Sequence, residues 1–321
     1  METILPELFP NNSDFPIVQV LLATYNGEKY LGEFLESLLA QVGVRIHLMT
    51  SDDGSSDSTL LILEQYANRF CYFTQLEGPN KGPAANFFFL LEHADSNYVA
   101  FADQDDIWMP KHLLSSINRI RNLNVPALSF CAQMEFSNKQ IVIRTWPRTN
   151  FLDHTFYSYV FQNPARGCTQ VFNRELLEIA KEAPRNSAVM HDWWIVNLAT
   201  LSGKVNFSNS AEIFYRLHSE NFSSRVNRTK LIHLNRSFNN HISICLKQWS
   251  EISCFAKLKG SPTIKFIEIF SLKRLEFSRR VLFNWPKIRM NRIENILFKI
   301  LIIKKQKKIN KILWENPNFD Q

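Results

Sequence analysis

The chain has 321 residues, of which 45% are hydrophobic, which indicates a globular protein with one large core or two modest domains. Its five cysteines are an odd number without a C-x-x-C pair, which argues against a disulfide framework or a zinc site and for a reducing compartment. The net charge of +7 is unevenly spread: residues 222–321 carry 21 Lys and Arg against 6 Asp and Glu, a net of +15, and the preceding residues carry 16 against 24, a net of −8. We therefore expect the two parts to face different partners.

The N-terminal sixteen residues have no basic residue ahead of an apolar segment, so a secretory signal is not predicted. Nowhere do eighteen apolar residues follow one another, so a membrane-spanning helix is not predicted either.

Strands and helices alternate in the first part of the chain. Apolar runs predict strands at Ile17–Ala23, Arg45–Thr50, Cys71–Gln75 and Tyr98–Ala102. Apolar residues at three- and four-residue spacing predict a helix after each of the first three strands, and Asp57 is expected to cap the second helix. This alternation predicts an α/β fold with a mostly parallel sheet and right-handed crossovers.

The polar loops that follow these strands are expected to meet at one edge of the sheet, where open α/β sheets bind ligands. They are Thr24-Tyr25-Asn26-Gly27, Asp52-Asp53-Gly54-Ser55-Ser56-Asp57, Gly78-Pro79-Asn80-Lys81-Gly82-Pro83 and Asp103-Gln104-Asp105-Asp106-Ile107-Trp108. Because no G-x-G-x-x-G or P-loop motif is present, a dinucleotide site and a P-loop are not supported.

The carboxylates of Asp103, Asp105 and Asp106 are too close to remain ionised cheaply without a cation, and oxygen ligands suit Mg²⁺ or Mn²⁺. The alternative is a solvated acidic turn that caps the helix predicted near Pro110. Asp52 or Asp53 can accept a hydrogen bond from a pyrimidine imide or a ribose hydroxyl. A metal at the acidic loop can neutralise a diphosphate, and Lys81 adds one positive charge.

The second part of the chain contains one further candidate for catalysis. A strand is predicted at Arg166–Phe172, a helix at Arg174–Ala183, and another helix just after His191. Asp192 falls in the first turn of that helix, beside His191 and Trp193, and is a candidate general base. The alternative is that Asp192 is an N-cap and that Trp193 and its neighbour belong to the core.

The last strand of this part is predicted at Ile213–His218, with the side chains of Arg216 and His218 on the same face. Shorter strands are predicted at Pro126–Cys131 and Ile141–Ile143.

From Ile17 to Asn221 the chain resembles the inverting, metal-dependent nucleotide-sugar glycosyltransferases of family 2, which have the GT-A fold, and in particular bacterial rhamnosyltransferases of cell-surface polysaccharide synthesis. Their ordered motifs correspond to Thr24–Gly27, Asp52–Asp57, Asn80–Gly82, Asp103–Trp108, Gly167-Cys168, His191–Trp194, and Tyr215–His218 with Asn221. Pro83 departs from the family pattern, because a flexible apolar position is commoner after that glycine.

The resemblance implies a role for each matching residue. Nucleoside contacts are implied for Thr24, Asn26, Asp52 and Asp53, with Lys81 nearby. The D-x-D pair of Asp103 and Asp105 would bind Mn²⁺ or Mg²⁺, with Asp105 the direct ligand, Asp106 beside it, and His218 as a further ligand. The general base would be Asp192, and Arg216 with His218 would close over the diphosphate. Trp108, His191 and Trp193 accompany these motifs near the acceptor.

The implied domain organisation is a GT-A domain at 1–221, with a nucleotide-sugar half at about 17–122 and an acceptor half at about 123–221, followed by a basic helical region at 222–321. In that region amphipathic helices are predicted at Phe238–Trp249 and Thr263–Phe283, with a basic run at Lys304–Trp314. Such helices suit an anionic membrane surface, whereas a solvated face and nucleic acid are the less favoured alternatives. We therefore predict a cytoplasmic protein, peripheral on the inner face of the plasma membrane.

The predicted reaction is transfer of a sugar, with rhamnose from dTDP-rhamnose favoured, to a hydroxyl of a glycan or lipid-linked acceptor. The alternatives are a UDP-sugar donor, a non-catalytic binding protein of the same fold, and a nucleotidyltransferase. The last is disfavoured because the chain has no Gly-rich, basic triphosphate loop after the first strand.

Overall fold

The computed structural model describes residues 14–137, 140–146, 159–160, 162–218 and 234–258, together with isolated positions between 299 and 307. Their mixed α/β arrangement is a curled central sheet flanked by helices.

The first part of the chain forms the parallel half of the sheet. Its elements are β1 (Ile17–Thr24), α1 (Leu31–Leu39), β2 (Arg45–Asp52), α2 (Thr59–Tyr66) with a 3-10 turn at Ala67–Arg69, β3 (Tyr72–Glu77), α3 (Pro83–His93) and β4 (Tyr98–Asp103). The strands pair in the order β3-β2-β1-β4, all parallel. The four strands predicted from the apolar runs are therefore confirmed, and the parallel pairing brings their C-terminal ends to one edge.

The second part extends the sheet with antiparallel pairs and one parallel pair, that of β6 with β9. Its elements are β5 (Ile107–Trp108), α4 (His112–Ile120), β6 (Ala127–Ser137), β7 (Gln140–Trp146), a 3-10 turn (Gly167–Thr169), β8 (Gln170–Asn173), α5 (Arg174–Glu182), α6 (His191–Ser202), β9 (Lys204–Arg216) and α7 (Leu234–Leu258). The sheet continues from β4 in the order β8-β6-β9-β5, and β7 pairs with β6. The turn at Gly167 was predicted as strand.

Strand β9 begins at Lys204, nine residues before the predicted start at Ile213. The early part, which includes Asn206 and Ser208, lacks a continuous apolar pattern, so its extended conformation depends on parallel pairing with β6. Local sequence does not contain that information, because pairing with a distant strand decides it.

Helices cover both faces of the sheet. In β1, Leu21 belongs to the core beneath α3, α5 and α6, whereas Val20 and Leu22 belong to the core beneath α1, α2 and α4. The spacing in the sequence places Leu60 and Leu63 on the buried side of α2: Leu63 is buried, as predicted, whereas Leu60 is 41% exposed and Thr59 is buried in its place.

Helix α7 includes the predicted amphipathic segment Phe238–Trp249 and packs against α6. Leu246, Trp249 and Ile252 are almost fully buried, in the same core as Trp194 of α6. The predicted helix at 263–283 lies outside the described residues, as does most of the basic run at 304–314. The domain boundary after residue 221 stays a prediction. Among the described residues, none of the helices has the length and hydrophobicity to span a membrane.

Candidate active site

Hydrogen bonds join the ends of β1 and β2 and the loops that follow them, and the residues that make these bonds include Thr24, Asn26 and Asp52, which were predicted to contact the nucleoside. The buried Thr24 hydroxyl donates to Asp52 Oδ2 at 2.8 Å, and Asp52 Oδ1 accepts from the backbone N–H of Ser55 at 2.7 Å. Asn26, with a left-handed φ of 46°, accepts from the Ser56 N–H at 2.9 Å. In this arrangement Thr24, Asn26 and Asp52 shape the crevice by contacting its own loops.

Asp53 faces the crevice differently from Asp52. Its Oδ2 accepts from the Gly82 N–H at 2.7 Å, which joins the second loop to the third, beside the exposed Lys81. Its Oδ1 is buried and has no hydrogen-bond partner among the residues that the structure describes. A buried acceptor without a donor costs about 1–3 kcal/mol, so a ligand N–H placed here would be stabilised.

The acidic loop after β4 concentrates negative charge. Burial, together with the negative charges of Asp105 and Asp192, raises the pKa of Asp103 to about 7. Burial, with the charges of Asp105 and Asp103, also raises the pKa of the buried Asp106 well above its usual range. A cluster of carboxylates whose ionisation is opposed in this way fits a hard divalent cation, which would remove the repulsion.

The predicted metal ligands are arranged in two neighbouring groups. His218 Nε2 lies 2.6 Å from Asp105 Oδ2, so this imidazole hydrogen-bonds to the carboxylate that it was predicted to join at a metal. In the part of the chain that the structure describes, ligand atoms within 4.8 Å of one another come instead from Asp103, Asp106 and Cys168. Burial raises the pKa of the Cys168 thiol, and a protonated thiol is a poor ligand for Mg²⁺ or Mn²⁺.

Arg216 braces the acidic loop. Its Nε donates to the backbone oxygen of Asp105 at 2.8 Å, and its guanidinium pairs with Glu33 of α1. The guanidinium lies 4.5 Å from the ring centroid of Tyr30 and 4.6 Å from that of Phe136, and the side chain is only 4% exposed. A direct contact between Arg216 and a diphosphate, as predicted, requires this arrangement to open.

Asp192 lies in the first turn of α6, two residues after the cap position at Met190, so the N-cap alternative is wrong. Its Oδ2 accepts from the Gly167 N–H at 3.2 Å and its Oδ1 from the Trp193 N–H at 2.7 Å. Burial nevertheless raises the pKa of Asp192 to about 6, while these hydrogen bonds and the charge of Arg166 oppose the rise. A carboxylate with this pKa can accept a proton near neutral pH.

Three aromatic residues that were predicted near the acceptor are buried. His191 stacks on Phe87 with ring centroids 3.8 Å apart, and burial lowers its pKa to about 3, so its imidazole is neutral. Trp193 Nε1 donates to the backbone oxygen of Tyr159 at 2.6 Å, and Trp108 packs edge-on against Phe34. These three residues are therefore packed into the protein interior, where their contacts are with other residues of the chain.

Sequence reasoning missed Arg166. Its guanidinium pairs with Glu135 at 3.1 Å and lies 4.2 Å from the ring centroid of Tyr215. Its charge lowers the pKa of both Asp103 and Asp192, so one cation acts on both the acidic loop and the candidate base. The available signal was its position directly before the Gly167-Cys168 motif.

A second cluster of buried ligand-type residues contains His112, Cys131 and Glu212. Arg119 donates to both carboxylate oxygens of Glu212, at 3.0 and 3.1 Å, and His112 Nδ1 lies 3.3 Å from the same carboxylate. Because Arg119 already uses both oxygens, this cluster is a buried hydrogen-bond network that joins α4 to β9.

Comparison with solved structures shows the fold, which is that of the GT-A glycosyltransferases. The protein aligns with residues 1–349 of S. aureus TarS in complex with UDP-GlcNAc at a TM-score of 0.55 and 17% identity, over 92% of this chain and 83% of the other. It aligns with the mannosyltransferase PcManGT from Pyrobaculum calidifontis, in complex with GDP-Man and Mn²⁺, at a TM-score of 0.52 and 14% identity, over 97% and 90% of the two chains.

Sequence comparison then identifies the family. The family model described as glycosyl transferase family 2 matches residues 19–178. The dTDP-rhamnosyl transferase RfbG of Shigella flexneri is 30% identical over 215 residues, which are 62% of this chain and 72% of that protein. The putative glycosyltransferase EpsE of Bacillus subtilis is 38% identical over 100 residues, 30% of this chain and 36% of its own length. The chain belongs to glycosyl transferase family 2 and is a glycosyltransferase.

Proposed function

We propose that this glycosyltransferase is metal-dependent and inverting, and that it moves rhamnose from dTDP-rhamnose to a hydroxyl of a glycan or lipid-linked acceptor. The observation that carries the mechanism is the half-buried Asp192, whose pKa is raised to about 6 and whose charge acts on Asp103 of the acidic loop. The sugar is proposed from the similarity to RfbG.

The donor half binds the nucleoside diphosphate. Asp53 Oδ1, the buried acceptor without a partner among the described residues, accepts from the imide N–H of thymine. Asp103 and Asp105 would hold Mn²⁺ or Mg²⁺, whose charge, when the ion is bound, offsets the diphosphate. Lys81 is exposed beside Gly82 and approaches the phosphates from the third loop.

The acceptor half removes a proton. Asp192 takes the proton of the acceptor hydroxyl, and that oxygen attacks the anomeric carbon on the side opposite the diphosphate. The bond from this carbon to the diphosphate oxygen breaks, dTDP leaves with the bonding electron pair, and the configuration is inverted. The N–H groups of Gly167 and Trp193 hold the carboxylate, one on each oxygen, and keep its orientation as it becomes protonated. Arg166 stabilises negative charge that develops between the two halves.

A UDP-sugar is the second candidate donor. Uracil and thymine present the same imide N–H to Asp53, so the proposed base contact does not separate them, and the TarS structure contains UDP-GlcNAc.

A lipid-linked acceptor would place the enzyme on the inner face of the plasma membrane, with the cations of residues 259–321 toward anionic lipid.

A thermal-shift screen tests the donor proposal. The full chain is heated with dTDP, UDP, GDP or CMP, each with and without Mn²⁺ or Mg²⁺. We expect dTDP with metal to raise the melting temperature most, because the ligand that binds most tightly stabilises the native state most at a given concentration. A ligand at 100 times its Kd stabilises the native state by about 2.7 kcal/mol. A larger rise with UDP would reassign the donor. A folded chain that responds to none of the four would contradict catalysis on these nucleotides.

The pKa of Asp192 predicts how the rate depends on pH. A carboxylate acts as a base only when ionised, and its pKa is raised from 3.8 to about 6. At saturating donor and metal, kcat should be level above about pH 7 and fall about tenfold per unit below about pH 5. Donor turnover measured from pH 4.5 to 8.5 checks this, and a profile that stays level down to pH 4.5 would exclude Asp192 as the base.

A further inference from the structure

The segment between α5 and α6, residues 183–190, leads directly into the turn that carries Asp192. Side chains of α7 accept hydrogen bonds from this segment. Glu251 Oε1 accepts from the backbone N–H of Asn186 at 3.1 Å and from its Nδ2 at 2.8 Å, and Glu251 Oε2 accepts from the Ser187 N–H at 2.7 Å. Gln248 Oε1 accepts from the Val189 N–H at 3.2 Å. Three backbone donors of this short segment are thus satisfied from one helix.

Helix α7 is itself held firmly. Leu246, Trp249 and Ile252, which are at most 1% exposed, anchor it in the core that also contains Trp194 of α6. Gln248, on the helix turn that carries these contacts, is 2% exposed. Glu251 and Gln248 are therefore held in place relative to the sheet, and their hydrogen bonds can hold the segment at 186–189 in a defined position.

We propose that α7 is a positioning element of the active site, in which Glu251 and Gln248 fix residues 186–189 and so hold the first turn of α6, with Asp192, in place. This inference rests on the proposed role of Asp192 as the general base. It assigns the first part of the C-terminal region a task in catalysis that is independent of any membrane contact.

The lever is short. Asp192 is the second residue of α6, and the first bond of that helix runs from the Trp194 N–H to the Met190 oxygen at 3.0 Å. Met190 follows Val189, the residue that Gln248 holds. Release of the segment would therefore shift the first turn, and a misplacement of about 1 Å at a reacting group can cost about 10²-fold in rate.

Glu251→Gln tests the inference in the full chain, because it preserves shape while replacing one acceptor oxygen with an NH₂ group that faces a backbone donor. We expect kcat for release of dTDP from dTDP-rhamnose to fall about tenfold with the donor KM within about twofold, because the donor half is untouched. Glu251→Ala should fall further. Lys247→Gln, an exposed change on the same helix, is the matched control and should leave both constants unchanged.

Hydrogen–deuterium exchange of the same three variants supplies a second measurement. We expect faster exchange of amides 186–192 in both Glu251 variants and no change in Lys247→Gln. A variant with lower stability but unchanged kcat and unchanged local exchange would show that Glu251 is merely structural and would overturn the inference. Asp192→Asn in the same assay separates the two proposals: if it retains turnover, the base assignment fails, whereas an inactive Asp192→Asn beside an unaffected Glu251→Gln contradicts only the role of α7.

Discussion

Asp192→Asn is expected to bind donor nucleotide as the parent chain does and to lose sugar transfer by about 10²- to 10⁴-fold, the usual contribution of a general base. The amide keeps the size of the carboxylate, and its oxygen can still accept from the Trp193 N–H at the shorter distance of 2.7 Å. The lost contact is the longer one, 3.2 Å to the Gly167 N–H, so the first turn of α6 should keep its position. The amide cannot take a proton from the acceptor hydroxyl. The loss should therefore appear in kcat and not in the donor KM.

The measurement is steady-state donor turnover beside a nucleotide titration of the same preparation. Asp95→Asn is the matched control, because the Asp95 side chain is 75% exposed and pairs only at the surface with Arg174. Transfer by Asp192→Asn at the rate of this control would remove Asp192 from the role of base. Lost nucleotide binding would instead show that the substitution disturbs the donor half.

Asp105→Asn is expected to remove the metal dependence of nucleotide binding. A partner one shell away from a metal commonly contributes 10–100-fold to its affinity, so the loss of a direct ligand should weaken metal-dependent binding by more than about 100-fold. His218 Nε2 lies 2.6 Å from Asp105 Oδ2, and the oxygen of the new amide can still accept a hydrogen bond from it. The acidic loop should therefore keep its contact with His218.

Calorimetric titration of dTDP with and without Mn²⁺ measures the effect. The parent chain should bind tightly only with the ion, and the variant should bind equally weakly under both conditions. Asp95→Asn again serves as the control. If Asp105→Asn still binds dTDP with metal-dependent affinity, the ligands are Asp103 and Asp106, whose side chains lie near each other beside Cys168.

Arg216 shows what motifs alone do not reveal. Its match to a diphosphate-closing segment stays a prediction, and the structure adds that its guanidinium is buried, lies near the rings of Tyr30 and Phe136, and pairs with Glu33. Glu33 is 183 residues away in the sequence, so no local pattern joins the two. Arg166 belongs to no recognised sequence pattern, yet its charge lowers the pKa of both Asp103 and Asp192.

The sequence by itself determined the parallel strands, the edge at which their loops meet, and the types of group at that edge. Apolar runs and helical spacing are local properties, and parallel pairing must bring the C-terminal ends of the strands together. Only the tertiary structure decided which groups are available to a ligand. Asp52 and Asp53 are neighbours, yet one is satisfied by its own loops and the other keeps a buried acceptor. Segments that are distant in the sequence bury a side chain and supply its hydrogen-bond partners, and both effects set its exposure and its pKa. An example is Glu251 of α7, which accepts a hydrogen bond from Ser187 in the segment before Asp192.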